Sequence, residues 1–282
     1  MKPRFWFIPT LVTLILIGAA CWYGPVAQLP HYHDFADQAA HFGVPHFFDV
    51  LSNLGFALLA LWGWFRLFPH RHENSLRFAW AAYQLFLAGL FLTALGSSYY
   101  HLAPDNARLV WDRLPISLVC AGLLAGVWSD VHARPSRYLA LSLALLAVLG
   151  VAWWRLTDLA GHGDLRLYLA LQVLPLILIP LWQSIYASPR ADRWAFGVAL
   201  LLYVAAKLAE QGDYEIAAAL GGVSGHTLKH LLATAAAALI IFRLDARLAL
   251  ERASKSLVAR LPNQDLNRSN ELIDTRRSVL RA

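Results

Sequence analysis

The chain has 282 residues, of which 58% are hydrophobic and only 15% are charged, and its mean hydropathy is +0.48. Soluble domains of this length carry more charge and less apolar surface, so the composition excludes that class and predicts a polytopic membrane protein. The net charge of +6 is concentrated in residues 243–282, which hold nine Arg or Lys against five Asp or Glu. A solvated tail attracted to anionic lipid explains this charge, and no nucleic-acid partner is predicted.

Eight apolar runs follow one another along the chain, and each is long enough to cross a bilayer as a helix of about 20 residues. The runs cover residues 5–23, 47–68, 78–99, 112–130, 138–155, 167–187, 194–211 and 226–243. The predicted fold class is therefore all-α, a polytopic membrane helical bundle. The first run follows basic residues, and this pattern is also typical of a cleaved signal peptide. An uncleaved span is favoured, because Gly18 stands where a lipoprotein signal has a larger aliphatic residue.

Arginine and lysine cluster in alternate loops, and short cytoplasmic loops are the ones that retain positive charge. The residues of these clusters are Lys2, Arg4, Arg66, Arg71, Arg77, Arg134, Arg137, Arg190 and Arg193, together with the tail from Arg243. An eight-span path that keeps them on one side places both termini in the cytoplasm. The opposite loops, which carry most of the Asp and Glu, are then outside.

Polar residues gather at the outer ends of three spans. Ser97 and His101 end the third span, Asp112 begins the fourth, and His226 and His230 begin the eighth. Residues four apart project from one face of a helix, so each of the two i, i+4 pairs points in one direction. The short loop after His101 lets the fourth span return Asp112 beside it. The five side chains are therefore predicted to meet at one level of the membrane.

Three histidines in this pattern predict a zinc site. Neutral imidazole is the commonest protein ligand for zinc, and a catalytic zinc takes three protein ligands and keeps a fourth position for water. His226 and His230 supply two ligands from one helix face, and His101 supplies the third where the two spans pack together. A carboxylate that moves protons and a donor that stabilises an oxyanion complete such a site. Asp112 and Ser97 are the candidates for these two functions.

Each polar residue also has a structural interpretation. Asp112, just before Pro115, fits a helix cap as well as a base, since Asp is favoured at that position and Pro in the first turn. Ser97 fits a small packing residue of a membrane helix, and histidines at span ends fit the membrane interface. Lys207 and Glu210, three residues apart, fit a structural ion pair.

Three segments together resemble a known family. Gly-Ser-Ser-Tyr-Tyr-His (96–101), Trp-Asp-Arg-Leu-Pro (111–115) and Ser-Gly-His-Thr-Leu-Lys-His (224–230) are similar to the Ser-x3-His, Asp and His-x3-His signatures of alkaline ceramidases. This family belongs to a seven-span hydrolase superfamily that includes the adiponectin and progestin receptors. Phe-Asp-Val-Leu-Ser-Asn (48–53) resembles the first core span of the family.

The resemblance implies three parts of the chain: an N-terminal transmembrane segment at 1–30, a seven-span ceramidase-like domain at 31–243 and a cytoplasmic polar tail at 244–282. Residues 32–38, Tyr-His-Asp-Phe-Ala-Asp-Gln, are closer to bacterial relatives. The implied location is the bacterial inner membrane, with the site toward the periplasm.

The implied activity is hydrolysis of the amide bond of ceramide or a related N-acyl lipid, which gives a fatty acid and a free amine. The residues carried over are the zinc ligands His101, His226 and His230, the proton-transfer residue Asp112 and the carbonyl-polarising residue Ser97. The receptor relatives imply an alternative function, a lipid-sensing membrane protein that keeps the zinc site with little turnover.

Animal members of the family also have a calcium site close to the zinc, in the segment before the first core span. Asp34 and Asp37 stand in matching positions of this chain and are the implied calcium ligands. His46 stands where an acidic ligand is expected. The chain therefore keeps only part of the calcium pattern.

Overall fold

The computed structural model describes residues 3 and 5–260, and helices make up almost all of its regular structure. In chain order they are α1 (Ile8–Tyr23), α2 (Phe47–Ser52), α3 (Leu54–Leu67), α4 (Trp80–Leu102), α5 (Asn106–His132), α6 (Arg137–Leu159), α7 (Arg166–Ile185), α8 (Arg190–Gln211), α9 (Asp213–Leu220) and α10 (Gly225–Arg260). A single 3-10 turn, Phe68–His70, continues α3. The described residues form no strand, and the predicted all-α bundle is confirmed.

Six helical segments within the described residues are long and apolar enough to cross a membrane. They are the segment Phe47–His70 and the helices α4 to α8. The protein is therefore a membrane protein built from helices. The first predicted run forms the shorter apolar helix α1, with 16 residues, and the last lies within α10, with 36 residues. Helix α9 is not among the predicted elements.

The helix α10 extends well past the predicted boundary between membrane domain and tail at residue 243. Contacts with the loop after α3 explain this extension. The carboxylate of Glu251 accepts the backbone N–H groups of Asn74 and Ser75, at 3.0 and 2.9 Å. Residues 261–282 of the predicted tail, and the basic residues Lys2 and Arg4, lie outside the described residues.

The basic loops meet at one end of the bundle, which we call the basic end. The backbone N–H of Ser136, in the loop before α6, donates to the carbonyl of Phe78, in the loop before α4. Arg247 of α10 pairs with Asp130 of α5 at 2.6 Å and with Asp192 of α8 at 2.9 Å. The loops that the positive-charge pattern grouped together are thus neighbours in the fold.

The opposite end, which we call the histidine end, depends on a close approach of α4 and α5. At Gly96 there is no room for a side chain, because a Cβ atom there would lie 1.9 Å from the carbonyl oxygen of Trp111. This contact places Ser97 of α4 and Asp112 of α5 on neighbouring backbones. The glycine therefore positions the candidate residues on these two helices.

Gly96→Ala is expected to destabilise the protein by about 1–3 kcal/mol or more, because α4 and α5 must separate to admit the methyl group. Gly197→Ala is the matched control, since Gly197 is also inside a helix and has no atom within 4 Å of the added Cβ. Thermal unfolding in detergent measures both variants. Equal midpoints for the two would show that the helices do not need the close contact.

Candidate metal centre

The three predicted histidines lie together at the histidine end. His101 is in the last turn of α4, and His226 and His230 are in the first two turns of α10. Each histidine is buried and offers a ring nitrogen, and the three nitrogens lie within 4.8 Å of one another. Among the His, Cys, Asp and Glu residues of the described part of the chain, these three histidines form a group that could hold a metal ion.

A second close contact positions the start of α10. A Cβ atom at Gly225 would lie 2.2 Å from the carbonyl oxygen of Ala209 in α8. The next residue is tied at its backbone, since the N–H of His226 donates to Asp213 Oδ1 at 2.7 Å. Helix α9, which begins with that aspartate, therefore holds the first ligand of the His-x3-His pair in place.

The contacts of Ser52 favour one tautomer of His230. The hydroxyl of Ser52 donates its only proton to the carbonyl of Asp49 at 2.9 Å. The same hydroxyl oxygen lies 2.8 Å from Nδ1 of His230, so it accepts a proton from that nitrogen. Nε2 of His230 is then left with its lone pair, as a metal ligand requires.

Ser52→Ala is expected to weaken metal binding by about 10- to 100-fold, because His230 loses the partner that orients its ring. Ser98→Ala is the control, since the Ser98 hydroxyl makes only a long contact of 3.4 Å with the carbonyl of Val50. Competition with a chelating dye measures the affinity of the purified variants. Equal affinities for both variants would contradict the assigned tautomer.

His101 is completely buried, and neither of its ring nitrogens has a hydrogen-bond partner among the described residues. The nearest carboxylate oxygen, Oδ2 of Asp49, is 4.0 Å from its Nδ1 and is unpartnered as well. Buried polar atoms without partners are costly. A metal ion bonded to His101 would satisfy one of these atoms, so the residues present fit a metal ion.

Asp49 also connects α2 to the start of α10. Its Oδ1 accepts hydrogen bonds from Ser224 at 2.9 Å and Thr227 at 2.6 Å, both at the start of α10. A carboxylate behind a ligating histidine commonly orients the ring. Sequence reasoning missed this function of Asp49, although the residue lies in the segment 48–53 that carries part of the resemblance.

A buried lysine lies beside His226. Nζ of Lys229 is 2.6 Å from Nε2 of His226 and donates to Oε1 of Glu210 at 2.9 Å. Lys207 donates to the other oxygen of the same carboxylate, also at 2.9 Å. The predicted structural pair Lys207 and Glu210 is therefore part of a larger network that reaches the centre. The charged residue between the two histidines of His-Thr-Leu-Lys-His was the signal for it in the sequence.

Ser97 lies next to the centre. It is buried, and its hydroxyl is 3.5 Å from Nε2 of His230, the nitrogen that the tautomer leaves unprotonated. The hydroxyl is therefore close to the position that a metal ion bound to His230 would occupy. Its location agrees with a polar function in the site and not with packing alone.

Asp112 is not a helix cap. Helix α5 begins at Asn106, and its cap is Asp105, whose side chain accepts the N–H of Arg108 at 2.7 Å. Asp112 lies further along α5, and Pro115 is inside the helix. The capping interpretation is therefore wrong, because the helix begins earlier than the apolar run predicted. The carboxylate of Asp112 makes no hydrogen bond or ion pair with another described residue, although the side chain is buried.

A cavity within the bundle is lined by Ser97, Asp112 and, among the three histidines, His230. Its polar wall contains Ser97, Asp112, Lys207, Glu210, Lys229 and His230. Most of the remaining wall is apolar and includes Phe86, Leu90, Leu123, Ala199, Ala236 and Ile240. Along α4 the wall runs from Ser97 to Phe86, a depth of roughly 16 Å at the rise of an α-helix.

Residues 24–46, which connect α1 to α2, cover the centre at the histidine end. The ring centroid of Phe35 is 4.7 Å from that of His101 and 4.6 Å from that of His226. The backbone N–H of Ala36 donates to Oδ2 of Asp213 at 2.8 Å, which fixes this segment to α9. The histidines are therefore covered on this side, and His230 borders the cavity within the bundle.

The two predicted calcium ligands have different surroundings. Asp37 is buried, and its Oδ2 accepts the N–H groups of Phe48 and Asp49, at 2.8 and 2.9 Å, at the start of α2. Asp34 is exposed and lies 3.1 Å from His31. Within the described residues, no group of three possible metal ligands contains either aspartate. The structure thus uses Asp37 to begin a helix and leaves Asp34 at the surface.

The centre as a whole is a group of three buried histidines, of which His230 lines a largely apolar cavity beside Ser97 and Asp112. Comparisons of the chain with protein-family models, with curated proteins and with solved structures find no match. A function for the centre is therefore inferred from its residues and their geometry.

Proposed function

We propose that the protein is a zinc-dependent membrane amidohydrolase, similar to the alkaline ceramidases, that cleaves the amide bond of ceramide or a related N-acyl lipid. The observation that carries this proposal is a group of three buried histidines, one of which, His230, lines a largely apolar cavity together with Ser97 and Asp112. A hydrolase that acts on lipids needs polar chemistry and apolar space in one place.

The donor set supports zinc as the metal. Three neutral imidazoles and an open fourth position are typical of catalytic zinc sites, and the tautomer of His230 leaves Nε2 available. When bound there, zinc would supply Lewis-acid polarisation of a carbonyl and a lowered pKa for water. The hydroxyl of Ser52 would keep the His230 ring in its orientation.

Asp112 is the proposed proton-transfer residue. Its carboxylate faces the cavity without a partner, so it can accept a proton from the water that attacks the amide carbon. The carbon–nitrogen bond then breaks, and Asp112 returns the proton to the departing nitrogen. The products are a fatty acid and an amine, and the aspartate ends the cycle ionised.

Ser97 is the proposed hydrogen-bond donor to the scissile carbonyl. It is buried, lines the cavity and lies 3.5 Å from Nε2 of His230. A donor held at this place can strengthen its bond as negative charge develops on the carbonyl oxygen. The apolar wall below it supports an acyl chain as the remainder of the substrate.

The charge distribution supports a location in the bacterial inner membrane. The loops with Arg71, Arg134 and Arg190 lie at the basic end, and the centre lies at the other end. Positive loops are retained in the cytoplasm, so this distribution supports an orientation with both termini in the cytoplasm and the site toward the periplasm. The resemblance of residues 32–38 to bacterial relatives supports the choice of membrane.

The proposal is tested by measuring the metal content of the purified protein and its turnover of N-acyl lipids. We expect about one zinc per chain, release of fatty acid and amine, and loss of activity with a chelator that added zinc restores. Turnover unaffected by removal of the metal would contradict the proposal.

A lipid-sensing function is the second candidate, because Phe35 packs on the rings of two of the three histidines. A sensor could keep the centre closed in this way and bind lipid in the cavity without cleaving it. Metal-loaded protein that binds N-acyl lipid and releases no fatty acid would favour this function. Turnover that depends on Asp112 would exclude it.

A further inference from the structure

Two lysines share one carboxylate on the wall of the cavity. Nζ of Lys229 donates to Oε1 of Glu210, and Nζ of Lys207 donates to Oε2, both at 2.9 Å. All three side chains line the cavity, and we call them the cationic group. Asp112, the other carboxylate of this wall, forms no ion pair with either lysine. The cationic group therefore carries one surplus positive charge.

The surplus charge is more than an ion pair between helices requires. One lysine is enough to pair with Glu210, and an uncompensated charge inside a membrane bundle costs free energy. An ammonium group has three N–H donors, so Lys207 uses one of them on Glu210 and keeps two. The Lys207 side chain is 35% exposed, so a ligand in the cavity can reach it. The cationic group therefore offers charged donors to an anion.

The position of the cationic group determines where on a substrate the anion belongs. Nζ of Lys229 is 2.6 Å from Nε2 of His226, so the group lies directly beside the metal centre. Lys207 is near the end of α8, at the histidine end, whereas Leu200 of the apolar wall lies about 10 Å deeper along this helix. An acyl chain that fills the apolar part therefore leaves the cationic group to the other half of the substrate, close to its amide bond.

We propose that the cationic group binds a carboxylate on the amine half of the substrate, which is then an N-acyl amino acid. In such a lipid a single carbon separates the amide nitrogen from the carboxylate, in keeping with the position of Lys229 beside the centre. Water adds its oxygen to the acyl carbon, the carbon–nitrogen bond breaks and the nitrogen takes a proton, which gives a fatty acid and an amino acid. This inference rests on the proposed function for the reaction and names the class of amine.

The test compares two lipids of similar shape that differ in charge. N-palmitoylglycine carries the carboxylate, and N-palmitoylglycinamide carries a neutral amide group in its place. The wild-type protein is expected to prefer the acid by about tenfold or more in kcat/KM, because only the carboxylate forms charge-assisted hydrogen bonds with the lysines. Release of palmitic acid measures the turnover of both lipids.

Three variants assign the preference to the surplus charge. Lys207→Met is expected to bring the ratio of the two kcat/KM values toward one, and it should fold because Lys229 still pairs with Glu210. Lys207→Arg keeps the charge and should keep a preference for the acid. Lys255→Met is the control, since Lys255 is an exposed lysine that pairs with Glu251 at the basic end. It should leave the ratio unchanged.

Binding of the two lipids to the metal-free protein, measured by calorimetry in detergent, provides a readout that does not depend on hydrolysis. Tighter binding of the acid that is lost in Lys207→Met supports the carboxylate site even where neither lipid is cleaved, a result that would contradict the proposed function alone. Equal binding and equal hydrolysis of the two lipids would overturn the carboxylate site and leave the proposed function intact. A preference that persists in Lys207→Met, or that appears only with metal bound, would also overturn it, because the carboxylate would then contact another group.

Discussion

Purified protein with the double substitution His226→Ala/His230→Ala is expected to lose its zinc and all metal-dependent turnover. Two of the three ligands are removed from one helix, and His101 alone cannot hold the ion against a chelator. The expected metal content falls from about one ion per chain to less than about a tenth. Metal analysis after gel filtration in detergent measures this directly.

The matched control is His41→Ala/His72→Ala, which also removes two histidines. Both control residues are exposed, and neither belongs to the group at the histidine end. This variant should keep its zinc and its turnover. Stoichiometric zinc in the His226→Ala/His230→Ala protein would show that the metal binds elsewhere, and it would remove the basis for the proposed centre.

The second large effect is expected for Asp112→Asn. An amide cannot accept and return the proton, so turnover should fall on the order of 10²-fold or more, while zinc stays bound to the three histidines. Asparagine is close to aspartate in size, so the fold should be retained. Activity with the best N-acyl substrate and metal content are measured on the same preparation.

Asp105→Asn is the control for this substitution, because Asp105 is the actual cap of α5. Asparagine is also a good capping residue, so this variant should keep nearly normal stability and turnover. Near-normal turnover of zinc-loaded Asp112→Asn would exclude Asp112 from the mechanism and leave the histidines as the supported part of the site.

The sequence predicted the helices of the bundle well, because the bilayer imposes a minimum length of apolar helix that is visible in composition alone. It was less accurate at the ends of the helices. Helix α5 begins at Asn106, before the apolar run at 112–130, because the Asp105 side chain caps its first turn by accepting the N–H of Arg108. The extension of α10 beyond residue 243 depends on the loop that binds Glu251, which no local pattern indicates.

Spacing also identified the main residues of the centre. The i, i+4 relation of His226 and His230 follows from helix geometry and needs no knowledge of the fold. The partners of these residues could not be found in this way. Ser52 and His230 are 178 residues apart in the chain, so their hydrogen bond exists only once α2 packs against α10. Likewise, Lys229 donates a hydrogen bond to Glu210, which lies on another helix, so this contact could not be predicted from spacing.

By itself the sequence determined the all-α membrane class, the approximate helices and the set of three histidines, because these depend on local hydrophobicity and on helical periodicity. The tertiary structure alone decided what each polar side chain does. Asp105 caps α5, whereas Asp112 lines the cavity. Asp37 accepts backbone N–H groups at the start of α2, whereas Asp34 is exposed. The physical reason is that helix crossings, set by close contacts such as Gly96 against Trp111, determine which distant groups face one another.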